Sequence, residues 1–97
     1  MRFIQLTDSM QPDERSRSAV RPRLDALWRR GSDLLGTEYA ILGGAMTWVS
    51  EHTLVSAISN AGGFGVIASG AMSPALLDEQ IARTFDATDK PFGVNVI

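Results

Sequence analysis

Apolar residues fall in two rhythms along the second two-thirds of the chain. Three short runs are almost continuously apolar or small: Tyr39–Leu42, Phe64–Ala68 and Phe92–Ile97. Runs of this length, bounded by Gly, Pro or Asp, suit strands covered on both faces. Between them the spacing changes to three and four residues. Leu54, Val55, Ile58 and Ala61 form one stripe, and Leu77, Ile81 and Phe85, with Leu76 beside them, form another. Asp78, Glu79, Arg83 and Asp86 fall on the opposite side of that second helix. Each helix carries start and stop signals. Ser50 stands at the N-cap position of the first, with Glu51 favouring its dipole, and Gly62-Gly63 follows as a left-handed stop. Ser73-Pro74 opens the second, and Thr88-Asp89-Lys90-Pro91 closes it. The order is βαβαβ, which short loops turn into parallel strands with right-handed crossovers.

The region before Leu34 reads differently. Residues 1–19 are polar and irregular, and the pattern predicts loose order there. Ser18 caps a predicted helix with Pro22 in its first turn. Val20, Leu24, Leu27 and Trp28 give that helix one apolar stripe, with Trp28 as a packing residue. Gly31-Ser32 interrupts it, and Leu34-Leu35-Gly36 reads as a separate short turn. The chain thus divides into an N-terminal arm with one helix, 1–33, and a βαβαβ segment, 34–97. Two crossover helices cannot cover both faces of three strands, and both outer strands are open edges. These residues are therefore expected to be the first part of a larger domain, with self-association through the edges as the alternative fate.

Composition narrows the function. The 97 residues are 44% hydrophobic with a formal net charge of −2. That balance suits neither nucleic acid nor an anionic membrane as partner. Arg15, Arg17, Arg21, Arg23, Arg29 and Arg30 cluster before the strands, interspersed with Asp13, Glu14 and Asp25, as on a solvated helix. There is no cysteine and a single histidine, so thiol chemistry is excluded and no metal site is expected. No apolar run approaches the roughly 18 residues of a membrane span. With no leader-like start, a cytoplasmic protein is the expectation.

Gly63-Phe-Gly65-Val-Ile-Ala68 fits the dinucleotide string G-x-G-x-x-A but not its context, because here the helix precedes the glycines and the strand lies within them. The carboxylates are spaced as helix and turn residues. His52, in the first turn of the first core helix, reads as a surface residue. What remains is a loop poor in side chains, Gly44-Ala45-Met46-Thr47, just past the carboxyl end of the first strand. Ligands of parallel α/β folds bind at that end. Met46 and Trp48 suit the two sides of a flat ring. Asn95 is a polar interruption of an apolar strand, and its amide needs partners, with a heteroaromatic edge among the candidates.

Three blocks carry a resemblance: Glu38–Ser50 (Glu-Tyr-Ala-Ile-Leu-Gly-Gly-Ala-Met-Thr-Trp-Val-Ser), Ala57–Ile67 and Thr88–Val96. Together they resemble the N-terminal part of the nitronate monooxygenase family, formerly 2-nitropropane dioxygenases, which also includes flavin-dependent enoyl-acyl-carrier-protein reductases. The resemblance implies a partial TIM barrel and FMN as cofactor. It implies oxidation of alkyl nitronates with O₂ to carbonyl compounds and nitrite. By position, Ala45, Met46 and Thr47 match the flavin-contacting segment, and Asn95 matches the asparagine of the Gly-Val-Asn strand. Gly43 stands where many members have glutamine. The family's catalytic histidine and phosphate loops lie downstream, so no catalytic residue is assigned here and the 97 residues alone are expected to be inactive.

Overall fold

The computed structural model describes residues 14–97. It contains α1 (Glu14–Leu35), β1 (Leu42–Gly43), α2 (His52–Asn60), β2 (Phe64–Ala68), α3 (Pro74–Ala87) and β3 (Phe92–Asn95). The strands form one parallel sheet in the order β1-β2-β3. Gly43 is in register with Gly65, and Ala68 with Asn95.

Both core helices lie on one face of this sheet. A Cβ at Gly43 or Gly65 would strike Ile58 or Val55 of α2, so those positions face the helix. A Cβ at Gly93 would meet Phe64 and Val66, so Gly93 faces the other way. Side chains alternate along a strand, so Phe92 points back towards the helices, where its ring meets Phe85 of α3 edge-on at 5.0 Å. Sequential strands with both crossover helices on one side are the opening of a βα barrel; a doubly wound sheet would reverse its strand order. Leu42, Phe64, Val66, Ala68, Gly93 and Asn95 share the other face, which in a closed barrel is the interior.

Val55 and Ile67 are fully buried between β2 and α2. Gly65 makes this contact close: a Cβ there would lie 2.9 Å from the Val55 Cα and 3.0 Å from its carbonyl carbon. β2 and the Ser73-Pro74 start of α3 match the sequence reading, with Ser73 Oγ accepting from the Leu76 N–H at 3.2 Å. Gly62 ends α2 at φ +100°.

Four readings are corrected. α1 is one helix through Pro22 and Gly31, not an interrupted one, and Ser18 lies within it. Gly31 is a contact residue: a Cβ there would come within 2.7 Å of the Ala40 Cβ. Residues 14–19, read as loosely ordered, are helical; the same reading for 1–13 falls outside the described residues. β1 is shorter and later than Tyr39–Leu42, although Tyr39 N–H reaches Gly62 O at 2.9 Å and Phe64 N–H reaches Ile41 O at 2.9 Å before it begins. Finally, the buried positions of α3 are Gln80 and Thr84, whereas Phe85 is 68% exposed.

α1 meets the 37–40 segment through Arg21, which donates to Asp25 and Glu38, each at 2.8 Å, and stacks 5.1 Å from the Tyr39 ring centre. Trp28 packs edge-on against the same tyrosine at 5.4 Å. The Arg21 guanidinium holds the Glu38 carboxyl below its ordinary range.

Candidate functional site at the carboxyl ends of the strands

The loop after β1 is folded around one side chain. Ser50 is 2% exposed, and its hydroxyl accepts from the Met46 N–H at 2.9 Å while donating to Gly44 O at 3.1 Å. Its N–H donates to Met46 O at 2.8 Å, and its carbonyl accepts from the Ala68 N–H at 3.1 Å. Ser50 is therefore not the N-cap of α2. Glu51 occupies the cap position without a side-chain bond, and the capping group comes from elsewhere. Gln80 Oε1 of α3 accepts from the His52 backbone N–H at 2.9 Å and from its ring Nδ1 at 2.8 Å. A backbone N–H demands an acceptor, so the amide turns its oxygen to His52, and the ring Nδ1 is the donor of the second bond. The Thr53 hydroxyl then faces Nε2 at 3.3 Å.

The same logic fixes Asn95. Its Oδ1 accepts from the Ser69 N–H at 2.9 Å, and its backbone carbonyl accepts from the Ser69 hydroxyl. The amide oxygen is thus committed to joining β3 to the end of β2. Only Nδ2 is left to meet a ligand, and no described residue pairs with it. Asn95 shares the interior-facing side of the sheet with Gly93.

A hydrogen-bonded path therefore crosses all three strand ends, from the Met46 loop through Ser50 and Ala68 to Ser69 and Asn95. It brings Ala45, Met46, Thr47 and Asn95 to one end of the sheet. Met46 has both backbone groups engaged, so it offers only its side chain, which is 50% exposed. Among the described residues nothing accepts from the N–H groups of Ala45 and Thr47. Trp48 is 61% exposed and holds φ +62°, a left-handed conformation that is uncommon for a bulky residue. A Cβ added at Gly44 would meet nothing within 4 Å, so there is room for a ligand against this backbone. Gly43 is different. It faces Ile58, so a longer side chain there would point into α2 and away from the strand ends.

These features fit the ring of a flavin: a flat approach to glycine backbone, free N–H donors, and one amide donor. They do not supply a clamp for its phosphate. Among the described residues the cations lie on α1, on α3 where Arg83 pairs with Glu79 at 2.5 Å, or at Lys90 near the amino ends of the strands. A cleft of about 280 Å³ at that amino end, lined by Glu38, Asn60, Gly62 and Lys90 among others, is remote from the loop. Its Ser59 and Asn60 side chains are already paired, with Pro91 O and with Ala87 O and Thr88. No described helix is long and apolar enough to cross a membrane.

Comparison with known proteins decides the family. The family model described as nitronate monooxygenase matches residues 29–97. The chain belongs to the nitronate monooxygenase family. It is 40% identical over 65 residues to a protein of Rhodococcus jostii named (3aS,4S,5R,7aS)-5-hydroxy-7a-methyl-1-oxo-octahydro-1H-indene-4-carboxyl-CoA dehydrogenase, covering 67% of this chain and 18% of that one. It is 46% identical over 48 residues to a probable nitronate monooxygenase of Bacillus subtilis, covering 50% and 14%. FabK from Thermotoga maritima superposes with a TM-score of 0.67 at 51% identity, covering 69% of this chain and 22% of that structure. The chain thus spans about a fifth of the length of the relatives it matches. The family is one of flavin-dependent oxidoreductases, and the structure is its partial α/β barrel.

Proposed function

We propose that this chain provides the first three strand ends of the FMN seat in an oxidoreductase of nitronate monooxygenase type. The reaction is the oxidation of alkyl nitronates with O₂ to carbonyl compounds and nitrite. One observation carries the reading: free backbone donors at Ala45 and Thr47 and the Nδ2 of Asn95 lie at the same carboxyl end, beside the open backbone of Gly44. When bound, FMN supplies the redox chemistry. The N–H groups of Ala45 and Thr47 and the Nδ2 of Asn95 would hold it by donating to its acceptors, and the exposed side chains of Met46 and Trp48 would exclude water. Proton abstraction and phosphate binding fall to residues beyond this chain, so the 97 residues alone have negligible activity. The complete gene product, purified with FMN, should release nitrite from propionate 3-nitronate in air; no nitrite at saturating substrate refutes the reading.

A second reading draws on the 40% identity to a carboxyl-CoA dehydrogenase. It makes the protein a flavin-dependent oxidoreductase of thioesters, such as an enoyl reductase. NADH oxidation driven by an enoyl thioester, without nitrite release, selects it.

A further inference from the structure

We infer that Ser50 is a positioning residue for the flavin-facing loop, an inference that rests on the FMN reading above. Ser50 sits beneath the loop and touches no open space, yet it decides which loop groups remain free. Its hydroxyl takes the Met46 N–H and returns a bond to Gly44 O, and its own N–H occupies Met46 O. The flanking N–H groups of Ala45 and Thr47 are left without a partner among the described residues. Its carbonyl, bonded to the Ala68 N–H, fixes that whole ring of atoms against β2. β2 is fixed in turn to Asn95 through Ser69. Ser50 therefore joins the two groups of donors that meet the ligand: its hydroxyl shapes the loop and its carbonyl ties that loop to β2. Without the hydroxyl the Met46 N–H and Gly44 O lose their partner, and nothing selects the free set.

The test uses the complete gene product in its FMN-free and FMN-loaded forms. Ser50→Ala removes both hydroxyl hydrogen bonds beneath the loop; it should weaken FMN binding about tenfold and should shift the visible absorption bands of the bound flavin. Ser56→Ala is the control: it removes another buried hydroxyl, bonded to Thr53 O within α2, and should leave FMN affinity within twofold. Amide exchange on the FMN-free wild type gives a reading that needs no variant. The Met46 amide should exchange at least tenfold more slowly than that of Thr47. Equal exchange at the two amides, or equal loss of FMN binding in the two serine variants, or no loss in Ser50→Ala, overturns the proposal. Absence of FMN binding by the wild type would instead refute the flavin reading, while the Met46 exchange still reports on the clasp.

Discussion

Gly65 offers the sharpest test of the packing. Replacing it with alanine places a methyl group 2.9 Å from the Val55 Cα, 3.0 Å from the Val55 carbonyl carbon, and closer still to the carbonyl oxygen. Ordinary carbon contacts lie at about 3.5–4.0 Å. All three obstructing atoms are backbone, so no side-chain rotation relieves them. Either α2 moves off the sheet by more than half an ångström or β2 bends. Overpacking of a close-packed core costs about 1–3 kcal/mol, and a clash with backbone belongs in the upper half of that range. In a domain of barrel size each kcal/mol moves Tm by about 2–4 °C, which gives a fall of about 4–12 °C. Circular dichroism at 222 nm during heating of the complete gene product measures it. Gly44→Ala is the partner experiment, since a methyl group there meets nothing. Its Tm should match or slightly exceed wild type, because alanine restricts the unfolded chain. Equal melting of Gly65→Ala and wild type, or equal losses in the two variants, would refute the assignment of which face meets the helix.

Three further outcomes are expected. Gln80→Ala strips the acceptor from both the His52 N–H and its ring Nδ1, and should cost about 1–3 kcal/mol in urea-unfolding free energy. Asn95→Asp keeps an oxygen for the Ser69 N–H but removes the Nδ2 donor; it should retain near-wild-type Tm while FMN affinity, measured by fluorescence quenching, falls about tenfold. Glu38→Gln tests the α1 contact. Arg21 holds the Glu38 carboxyl below its ordinary value of 4.5, so the stabilisation is present above that pH and is lost as pH falls through the lowered value. The Tm difference between Glu38→Gln and wild type should therefore shrink from pH 6 to pH 3.

The parts of the fold that could be read in advance are those governed by local rules. Ser73-Pro74, Gly62 and the five residues of β2 follow from capping chemistry, left-handed glycine and an unbroken apolar run. The misread parts are governed by partners distant in sequence. α3 looked as though it buried Leu77, Ile81 and Phe85, because apolar periodicity cannot register a buried polar pair. Gln80 and Thr84 are interior because their hydrogen bonds are met, Gln80 by His52 and Thr84 by the Gln80 carbonyl at 2.7 Å. A serine ahead of a helix looks like a cap in any sequence. Only the return of the chain to Gly44 and Met46 makes Ser50 a clasp. Pro22 suggested a helix start, whereas the helix continues through it. The placement of Ala45, Met46, Thr47 and Asn95 at the carboxyl ends of the strands was legible, because it follows from where the apolar runs end; their contact with a flavin is a proposal. The donor polarity of Asn95 was not legible, since it depends on Ser69 across the strand boundary.

The cap supplied by Gln80 binds two stretches of chain that are 28 residues apart into one thermodynamic event. The leading turn of α2 has no acceptor of its own and borrows one from a helix made later. The acceptor for that turn exists only once the later helix is in place. Loosening of α3 therefore also releases the first turn of α2, which directly follows the loop after β1.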